Sequence, residues 1–423
     1  MALIKKPVTG MKDILPREMQ IREYVTDLVV KTYSSFGFVR IETPAVEHIE
    51  NLLSKQGGEN EKLIFRILKR GEKLSLTPDT KEEDLADSGL RYDLTLPLSR
   101  YFACHAQELP MPFKALQIGP VWRADRPQKG RFRQFVQCDI DILGEKENIA
   151  EIELITATTT LLGKLGFRDF TVRINDRRIL KAMASYCGFD EADYDRVFII
   201  LDKMDKIGRD GVREELLDSG FSQDCADKYM ELFAQDLSDV SGIRALAEKL
   251  QDHLPEGCAE GLIEIVESVE KVKNAAVGVV FDPTLVRGMS YYTGTNFEIT
   301  MNEFGSSVAG GGRYDDMIGR FTGNSVCACG FSIGFERIIT ILMEREQDGL
   351  YGAPEKYAYL IEKGADAAFV ADVMKQAQAA RSEGKTVLVS MMNKNRKYQK
   401  EQLEKEGYIL DNIKEFYHSE FKR

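Results

Sequence analysis

The stretch from Val121 to Gly144, which reads VWRADRPQKGRFRQFVQCDIDILG, constrains the fold of this chain more than any other. Five basic residues fall within eleven positions of its first part, and Pro127 and Gly130 interrupt them. The second part, Phe132 to Leu143, alternates in part between apolar and polar residues, and the pattern predicts two strands joined by a basic loop. Arginines on a sheet suit bidentate recognition of phosphate or carboxylate. A solvated cationic hairpin is the alternative that spacing alone leaves open.

Composition limits the classes of protein to which the chain can belong. Hydrophobic residues make up 43% and charged residues 30% of the 423 residues, a globular balance with length for two or three domains. The net charge of −11 argues against indiscriminate coating of nucleic acid, so an RNA partner would have to meet local basic patches. Seven cysteines lie without a CxxC pair or histidines at ligand spacing, and we expect neither a structural zinc site nor a disulfide framework.

Signals of membrane insertion and export are missing from the sequence. No apolar run approaches the roughly 20 residues of a membrane-spanning helix, and the segment MALIKKPVTG has no apolar signal-peptide core. We therefore expect no membrane partner and a cytoplasmic location.

The segments before the central stretch predict a helix, a strand and a hairpin. Apolar residues recur at helical spacing from about Pro16 to Ser35. Residues 39–50 follow as a strand that carries Pro44. Residues 59–76 predict a β-hairpin that turns at Arg70-Gly71.

Asp93 and Thr95 come next, in the segment LRYDLT. They are two residues apart, so on a strand their side chains point to the same face. A carboxylate and a hydroxyl on one face could hold an ammonium group. Two polar residues at the surface are the alternative.

The second half of the chain contains a long helical region between strands. Residues 148–165 predict a periodic helix, and residues 177–273 are acidic and helical, which indicates an inserted helical domain. Three glycines at 310–312 either let the backbone approach a ligand or form only a turn. Arg337 lies on the first turns of an apolar helix, where its charge opposes the helix dipole and an anion nearby would explain it.

The C-terminal part of the chain predicts a separate small domain. From about Ala353 the composition changes, and the segments that follow have the order strand, helix, strand, helix. A basic cluster begins the last helix, formed by Lys394, Arg396, Lys397 and Lys400. A solvated helix face and a contact with a phosphate backbone both remain open.

These segments together resemble the class II aminoacyl-tRNA synthetases, in the form of the histidyl-tRNA synthetase family. The central stretch is similar to motif 2 of this class, and the segment with Pro44 resembles motif 1, which forms a dimer interface. LRYDLT resembles the segment that grips the substrate α-amino group. LVRGMSYYTGTNFE and SSVAGGGRYDDMIGRF resemble two signatures of the histidyl enzymes, and CACGFSIGFERIITILMERE resembles motif 3. The resemblance covers the first 145 residues and residues 275–345, and more loosely the rest.

The resemblance implies a histidine–tRNA ligase, which activates histidine with ATP to histidyl-adenylate and pyrophosphate and then transfers the histidyl group to tRNA(His). The implied catalytic residues are Arg123 and Arg287. The implied histidine-binding residues are Asp93, Leu94, Thr95, Arg123, Gln137, Asp141, Arg287, Tyr291 and Tyr292. The implied ATP-binding residues are Arg123, Asp125, Phe135 and Arg337. Contact with tRNA is expected from Arg126, Gln128, Lys129 and Arg133.

The resemblance also implies a cofactor and an assembly. Mg²⁺ would bridge the phosphates of ATP, and the sequence shows no protein motif dedicated to the metal. A homodimer is the expected assembly.

The fold that the resemblance implies is α+β, an antiparallel sheet flanked by helices, with a helical insertion and a small C-terminal α/β domain. No GxGxxG follows the first strand, so a Rossmann domain is not expected. The expected divisions are a catalytic domain of 1–176 and 274–350, a helical insertion of 177–273, and an anticodon-binding-like domain of 355–423. This last domain is shorter than is usual in the family and lacks its final strand, so its contact with the anticodon stays open.

Two other functions remain open. The synthetase-like regulatory subunit of ATP phosphoribosyltransferase shares the catalytic fold and lacks the anticodon domain. It should have lost residues that face ATP or tRNA, whereas Arg123, Arg287, Arg337 and the basic loop are present here. The other alternative is an RNA-binding or scaffold protein on the same fold, in which buried cations without a ligand would be costly to keep.

Overall fold

The computed structural model describes residues 3–53, 62–127, 132–235, 237–273, 277–286, 291–301, 306–345 and 355–418. The chain divides into two compact units, one of residues 1–13 and 25–344 and the other of residues 14–24 and 345–423. The predicted boundaries of a helical insertion inside the larger unit remain predictions.

The larger unit is built on two sheets. Its strands among the described residues are β1 (Val39–Ile41), β2 (Val46–His48), β3 (Arg66–Leu68), β4 (Ala86–Leu90), β5 (Phe113–Trp122), β6 (Gln134–Leu143), β7 (Phe170–Asp176), β8 (Val277–Phe281), β9 (Thr295–Met301), β10 (Ser306–Arg313) and β11 (Ala328–Ile333). The main sheet has eight strands in the order β1-β5-β6-β11-β10-β9-β7-β8. A three-stranded sheet has the order β2-β4-β3.

Antiparallel pairing dominates the main sheet, which confirms the predicted fold class. Only its two edges are parallel, where β1 pairs with β5 and β7 pairs with β8. The central stretch forms the predicted strand pair, because β5 and β6 run antiparallel from Phe113 opposite Leu143 to Trp122 opposite Gln134. Residues 128–131 of the basic loop between them lie outside the described residues.

Along the chain, helices among the described residues alternate with the strands of the sheets, and they account for most of the segment between β7 and β8. The helices are α1 (Pro16–Ser35), α2 (Ile49–Leu52), α3 (Thr95–His105), α4 (Ile149–Lys164), α5 (Arg177–Tyr186), α6 (Tyr194–Leu201), α7 (Met204–Asp218), α8 (Gln223–Glu231), α9 (Val240–Leu250), α10 (Cys258–Val272), α11 (Asp316–Thr322) and α12 (Phe335–Glu344). Helix α1 has the predicted bounds, and α4 lies within the predicted residues 148–165. The described part of 177–273 is helical, as composition predicted.

Side-chain caps explain where helices begin in this region. Asp176 accepts a hydrogen bond of 2.8 Å from Arg178 N at the start of α5. Ser222 and Asp239 cap α8 and α9 in the same way. Each cap satisfies an amide that the first helical turn leaves without a partner.

Two predictions about strands are wrong. Residues 62–76 do not form a hairpin, because β3 pairs with β4 and Gly71–Lys73 form a 3₁₀ turn. Residues 39–50 are not one strand, because the chain changes sheets at Pro44, between β1 and β2. Both of these short strands lie at the edge of their sheets, where proline's missing N–H is tolerated.

The three glycines at 310–312 lie within β10 and do not form a turn. A Cβ added at Gly311 would overlap the carbonyl oxygen of Gly330 on β11. The glycines therefore allow the two backbones to approach closely.

The smaller unit contains a parallel sheet of three strands. Its elements after residue 345 are β12 (Lys356–Ile361), α13 (Ala367–Ser382), β13 (Thr386–Met391), α14 (Arg396–Lys405) and β14 (Ile413–Phe416). The first four confirm the predicted order, and β14 adds a third strand beside β12 that the sequence pattern did not indicate.

Candidate active site

Three polar side chains lie on one face of β6. Gln137, Asp139 and Asp141 alternate with Cys138, Ile140 and Ile142, which point to the opposite, buried face. All three polar residues line a cavity of about 570 Å³ in the larger unit. The cavity extends from β6 across the next two strands of the sheet, because residues of β11 and β10 also line it.

Asp93 and Thr95 line this cavity, although the backbone between them is not the strand that was predicted. Asp93 follows the end of β4, and Thr95 is the first residue of α3. Asp93 Oδ1 accepts a hydrogen bond of 3.2 Å from Leu96 N, which ties it to the start of the helix. Asp93 Oδ2 is buried and has no hydrogen-bond partner among the described residues.

Asp141 is held from two sides. Tyr314 Oη donates a hydrogen bond of 2.6 Å to Asp141 Oδ1. Gly330 lies opposite Asp141 on β11, and a Cβ there would overlap the same carboxylate oxygen. Asp141 Oδ2 is buried without a hydrogen-bond partner among the described residues. One oxygen is therefore fixed, and the other is left for a ligand.

Tyr291 and Tyr292 form an aromatic wall of the cavity. Their ring centroids are 4.9 Å apart, and the Tyr291 ring meets Tyr314 edge to face at 6.1 Å. Tyr292 and Tyr314 belong to a hydrophobic cluster that includes Leu98 of α3 and Ile318 of α11. The rings are therefore anchored in the core of the unit.

Two of the predicted arginines line the cavity. Arg123 Nε donates to Tyr92 O at 2.8 Å, and its guanidinium carbon lies 5.2 Å from the centroid of the Phe135 ring. This geometry is a cation–π contact. Arg337 is the third residue of α12, on the first turn as predicted, and Nη1 donates to Ser307 O. The cavity therefore carries positive charge as well as carboxylates.

The remaining predicted residues divide into three groups. Asp125 and Phe135 line the cavity. Leu94 does not, because its side chain is buried and its carbonyl oxygen accepts from Gln117 Nε2 at 3.1 Å. Arg126 and Arg133 do not line it either: Arg126 is exposed, and Arg133 Nε donates to Asp125 O at 3.1 Å. Arg287, Gln128 and Lys129 lie outside the described residues.

Several cavity residues were missed by the analysis of the sequence. Asp139 lies midway between Gln137 and Asp141, and strand alternation would have placed it on the same face. Tyr314 directly follows the glycine-rich strand, but no pattern in the sequence pairs it with Asp141. Two glutamates, Glu298 and Glu336, also line the cavity.

The buried carboxyls of the site have raised pKa values. Burial raises the pKa of Asp139 to about 7, with a further increase from Asp93 and a decrease from hydrogen bonds of Ser332 and Gln137. Burial also raises the pKa of Asp141 well above its ordinary range, and Asp139 adds to this. The pKa of Asp93 is raised by burial and lowered by its helix-start hydrogen bonds and by Arg123.

Three buried oxygen atoms in this site have no hydrogen-bond partner among the described residues: Asp93 Oδ2, Gln137 Oε1 and Asp141 Oδ2. Buried polar atoms are costly unless they are hydrogen-bonded. These three acceptors suit a ligand rich in N–H donors, and the nearby arginines suit an anionic group. The site can therefore bind a molecule that carries N–H donors beside an anionic group such as a carboxylate or a phosphate.

Neither a metal cluster nor a membrane span is found in the described ranges. No group of three or more histidine, cysteine, aspartate or glutamate side chains there is placed to hold a metal ion. No helix in the part of the chain that the structure covers is both long and apolar enough to cross a bilayer.

Comparison with known proteins finds, from the sequence and from the fold, the family that the sequence segments resemble. Residues 10–338 match the family model described as Histidyl-tRNA synthetase. The chain is 48% identical over 356 residues to the histidine–tRNA ligase of Leifsonia xyli subsp. xyli, with 81% of each chain covered. It is 41% identical over 414 residues to the probable histidine–tRNA ligase of Tropheryma whipplei strain Twist, with 95% of this chain and 94% of the relative covered.

Two solved structures are similar over nearly the whole chain. Histidyl-tRNA synthetase from Nostoc sp. PCC 7120 superposes with a TM-score of 0.77 at 26% identity, over 96% of this chain and 90% of that one. A Bacillus halodurans protein, described as an ATP phosphoribosyltransferase regulatory subunit/histidyl-tRNA synthetase, gives a TM-score of 0.78 over 99% of both chains. Its identity is 21%, so it supports the fold alone.

Proposed function

The chain belongs to the histidyl-tRNA synthetase family, and from this premise we propose how its cavity carries out the reaction of a histidine–tRNA ligase. The chain is a ligase that joins histidine to tRNA with ATP. The family model spans residues 10–338, which include every described residue of the cavity. The substrates are histidine, ATP and tRNA.

Histidine lies in the part of the cavity that carries the three unpaired acceptors. Its α-ammonium group donates to Asp93 and Gln137, beside the Thr95 hydroxyl. Its imidazole ring lies against Tyr291 and Tyr292 and donates to Asp141. The assignment rests on these acceptors. Buried oxygen atoms would stay without hydrogen bonds if the cavity were empty or held an apolar ligand, whereas a ligand with several N–H groups would satisfy them.

ATP lies on the side of the arginines. Arg123 contacts both the α-phosphate and the histidine carboxylate, Phe135 and Asp125 adjoin the adenosine, and Arg337 binds the terminal phosphates. The family resemblance adds Arg287 as a second cation at the α-phosphate, in a segment outside the described residues. Fixed cations are needed there because the reaction brings two anions together.

The first step is an in-line displacement at phosphorus. A carboxylate oxygen of histidine attacks the α-phosphorus, the bond to the bridging oxygen breaks, and pyrophosphate leaves. Negative charge gathers on the phosphate oxygens in the transition state, where Arg123 lies. In the second step the terminal ribose hydroxyl of tRNA attacks the activated carbonyl, and AMP leaves.

Mg²⁺ accompanies ATP and supplies positive charge at the phosphates. This ion prefers oxygen ligands and keeps several from phosphates and water. Glu298 and Glu336, which line the cavity, would hold it on the protein side. Their hard oxygen donors fit the metal.

Family resemblance supports the choice of tRNA and the assembly that we propose. The tRNA is tRNA(His), and its acceptor end approaches the cavity along Arg126 and Arg133, with Gln128 and Lys129 in the same loop. The basic cluster that begins α14, where Arg396 and Lys397 are exposed, contacts the anticodon arm. The active assembly is a homodimer in the cytoplasm.

The regulatory subunit of ATP phosphoribosyltransferase is not favoured as an alternative. The relatives at 48% and 41% identity are named as ligases, and they cover most of the chain. Arg123 and Arg337, which a subunit without ATP chemistry has no reason to keep, both line the cavity. A non-catalytic RNA scaffold is disfavoured on the same ground.

The test is histidine-dependent exchange of labelled pyrophosphate into ATP, without tRNA, by the full-length protein. We expect exchange with histidine alone among the twenty amino acids and its loss in Arg287→Ala. Charging of tRNA(His) and of a non-cognate tRNA then tests the second step. Folded protein that binds histidine but supports no exchange would contradict the ligase site and favour the regulatory subunit.

A further inference from the structure

Asp139 faces the cavity and has no part in the assignment above. It lies on β6 between Gln137 and Asp141, is 3% exposed and lines the cavity. We propose that Asp139 is a positioning residue, which holds the Gln137 amide with its oxygen toward the α-ammonium group of histidine. The proposal rests on the proposed function and adds a residue to its histidine site.

The hydrogen bonds between the two side chains fix the polarity of the amide. Gln137 Nε2 donates to Asp139 Oδ2 at 3.0 Å and lies 3.4 Å from Oδ1. Above its pKa of about 7, Asp139 is a carboxylate that only accepts hydrogen bonds, so it selects the nitrogen end of the amide. Gln137 Oε1 is buried without a hydrogen-bond partner among the described residues. The amide therefore offers its oxygen, and not its nitrogen, to a ligand.

The orientation matters because a primary amide can turn and exchange its two ends. A turned Gln137 would point N–H groups at the ammonium group of the substrate, so that two donors would face each other. Its oxygen would then face the Asp139 carboxylate, and two acceptors would meet. Both contacts are unfavourable for buried polar groups. Asp139 excludes this orientation.

The side chains that lie opposite Asp139 on the neighbouring strands do not prevent its hydrogen bond with Gln137. Ser332, its partner on β11, gives it a hydrogen bond. Gln117 is its partner on β5, but the Gln117 amide is bound elsewhere, with Oε1 accepting from Thr43 Oγ1 at 3.3 Å and Nε2 donating to Leu94 O at 3.1 Å. Gln117 therefore does not compete with Gln137 for the carboxylate.

Asp139→Asn tests the role, because an amide of the same shape can donate as well as accept and so permits both orientations of Gln137. Calorimetry on the full-length protein at pH 8, where Asp139 is mostly ionised, would compare histidine with histidinol, which keeps the α-amino group, and with imidazole-4-propionate, which lacks it. We expect histidine and histidinol to bind about 10-fold more weakly, and imidazole-4-propionate to change less than about twofold. Equal losses for all three ligands, or no loss for histidine, would overturn the proposal.

A double variant separates amide orientation from general damage to the pocket. In a Gln137→Ala background no amide is left to orient, so Asp139→Asn should weaken histidine binding by less than about twofold. A further loss of about 10-fold there would reject the role. In the pyrophosphate exchange, Asp139→Asn should raise KM for histidine about 10-fold and leave KM for ATP unchanged.

The wild-type protein distinguishes failure of this inference from failure of the proposed function. If the wild type neither binds histidine nor exchanges pyrophosphate, the proposed function fails and this inference fails with it. If the wild type exchanges normally and Asp139→Asn binds histidine equally well, only the positioning role is rejected. Thermal unfolding identifies a misfolded variant. In that case Asp139→Ser, which cannot reach the amide in the same way, is measured with the same expected ligand pattern.

Discussion

A buried hydrogen bond of 2.6 Å joins Tyr314 Oη to Asp141 Oδ1, although the two residues are 173 positions apart in the sequence. The bond uses one oxygen of Asp141 and leaves the buried Oδ2 without a hydrogen-bond partner among the described residues, at the position where we propose that the substrate imidazole binds. It also lowers the pKa of Asp141, against burial and the charge of Asp139, which raise it. If Asp141 binds histidine as proposed, Tyr314 acts on the substrate through Asp141.

Tyr314→Phe should weaken histidine binding and leave ATP binding intact. The change removes a hydrogen bond that orients the Asp141 carboxyl and lowers its pKa, so this carboxyl becomes less well oriented and harder to ionise. We expect KM for histidine in the pyrophosphate exchange to rise about 10- to 100-fold, with KM for ATP within about twofold. Tyr229→Phe is the matched control, because Tyr229 Oη is buried in the helical region without a hydrogen-bond partner among the described residues. Equal effects of the two variants would contradict the role of Tyr314.

Gly330→Ala should damage the histidine site more than its size suggests. The new Cβ would overlap Asp141 Oδ1, so either the carboxylate leaves its position or β6 and β11 move apart. We expect at least about a 100-fold loss of kcat/KM for histidine, with folding retained in circular dichroism. Gly261→Ala in α10 serves as the control, since the nearest atom to its Cβ is Asn148 Nδ2 at 3.2 Å, at the end of a side chain. The control should keep full activity.

The buried Asp139 should make the protein less stable as the pH rises. Its pKa is about 7 in the folded protein and 3.8 in the unfolded chain. Between these two pKa values the folded protein holds a proton that the unfolded chain has lost. The contribution of Asp139 to the free energy of unfolding is therefore full below about pH 4 and disappears as the pH rises through 7. From pH 5 to pH 8 the wild type should therefore lose about 2–3 kcal/mol of its free energy of unfolding through Asp139, and Asp139→Asn should not show this decrease.

Urea unfolding of the wild type and Asp139→Asn at both pH values measures this difference. Asp239→Asn is the control, because the pKa of Asp239 is shifted in the opposite direction: hydrogen bonds from Ser241 and Gly242 at the start of α9 lower it. Asp239→Asn should leave the wild-type decline between pH 5 and pH 8 in place. An identical pH dependence in wild type and Asp139→Asn would show that Asp139 is ionised throughout this range.

Arg123→Lys should reduce catalysis although the charge is kept. Lysine cannot make the planar contact with Phe135 or bind phosphate and carboxylate together. We expect kcat for the exchange to fall about 100- to 1,000-fold. Arg126→Lys is the control, because Arg126 is exposed and does not line the cavity. It should exchange pyrophosphate at the wild-type rate, and a comparable loss there would argue against the assignment of Arg123.

The sequence predicted the elements whose patterns are local. Helix α1 was predicted from apolar spacing alone, and the pair β5 and β6 was predicted from alternation around the basic loop. The hairpin at residues 59–76 was wrong because alternation indicates a strand but does not identify its partner, which here is β4. Strand pairing is decided by the rest of the sheet.

The site residues were predicted mostly through family resemblance, and physical patterns alone predicted few of them. Asp93 and Thr95 line the same cavity, but they do so from a loop and a helix start, not from the face of one strand. Asp139 could have been found, since it shares the alternation of β6 with Gln137. The pairing of Tyr314 with Asp141 could not, because no rule of local spacing connects two residues that are 173 positions apart in the sequence.

The pairing of Asp141 with Gly330 has a consequence for how the protein is made. The chain between β6 and β11 contains the entire helical region, so closing the sheet across this junction brings together segments far apart in sequence. Such closures carry a high entropic cost and slow folding. During synthesis from the N-terminus, the first half of the cavity leaves the ribosome long before its partner strands. The proposed histidine site can therefore be completed only after β11 has emerged.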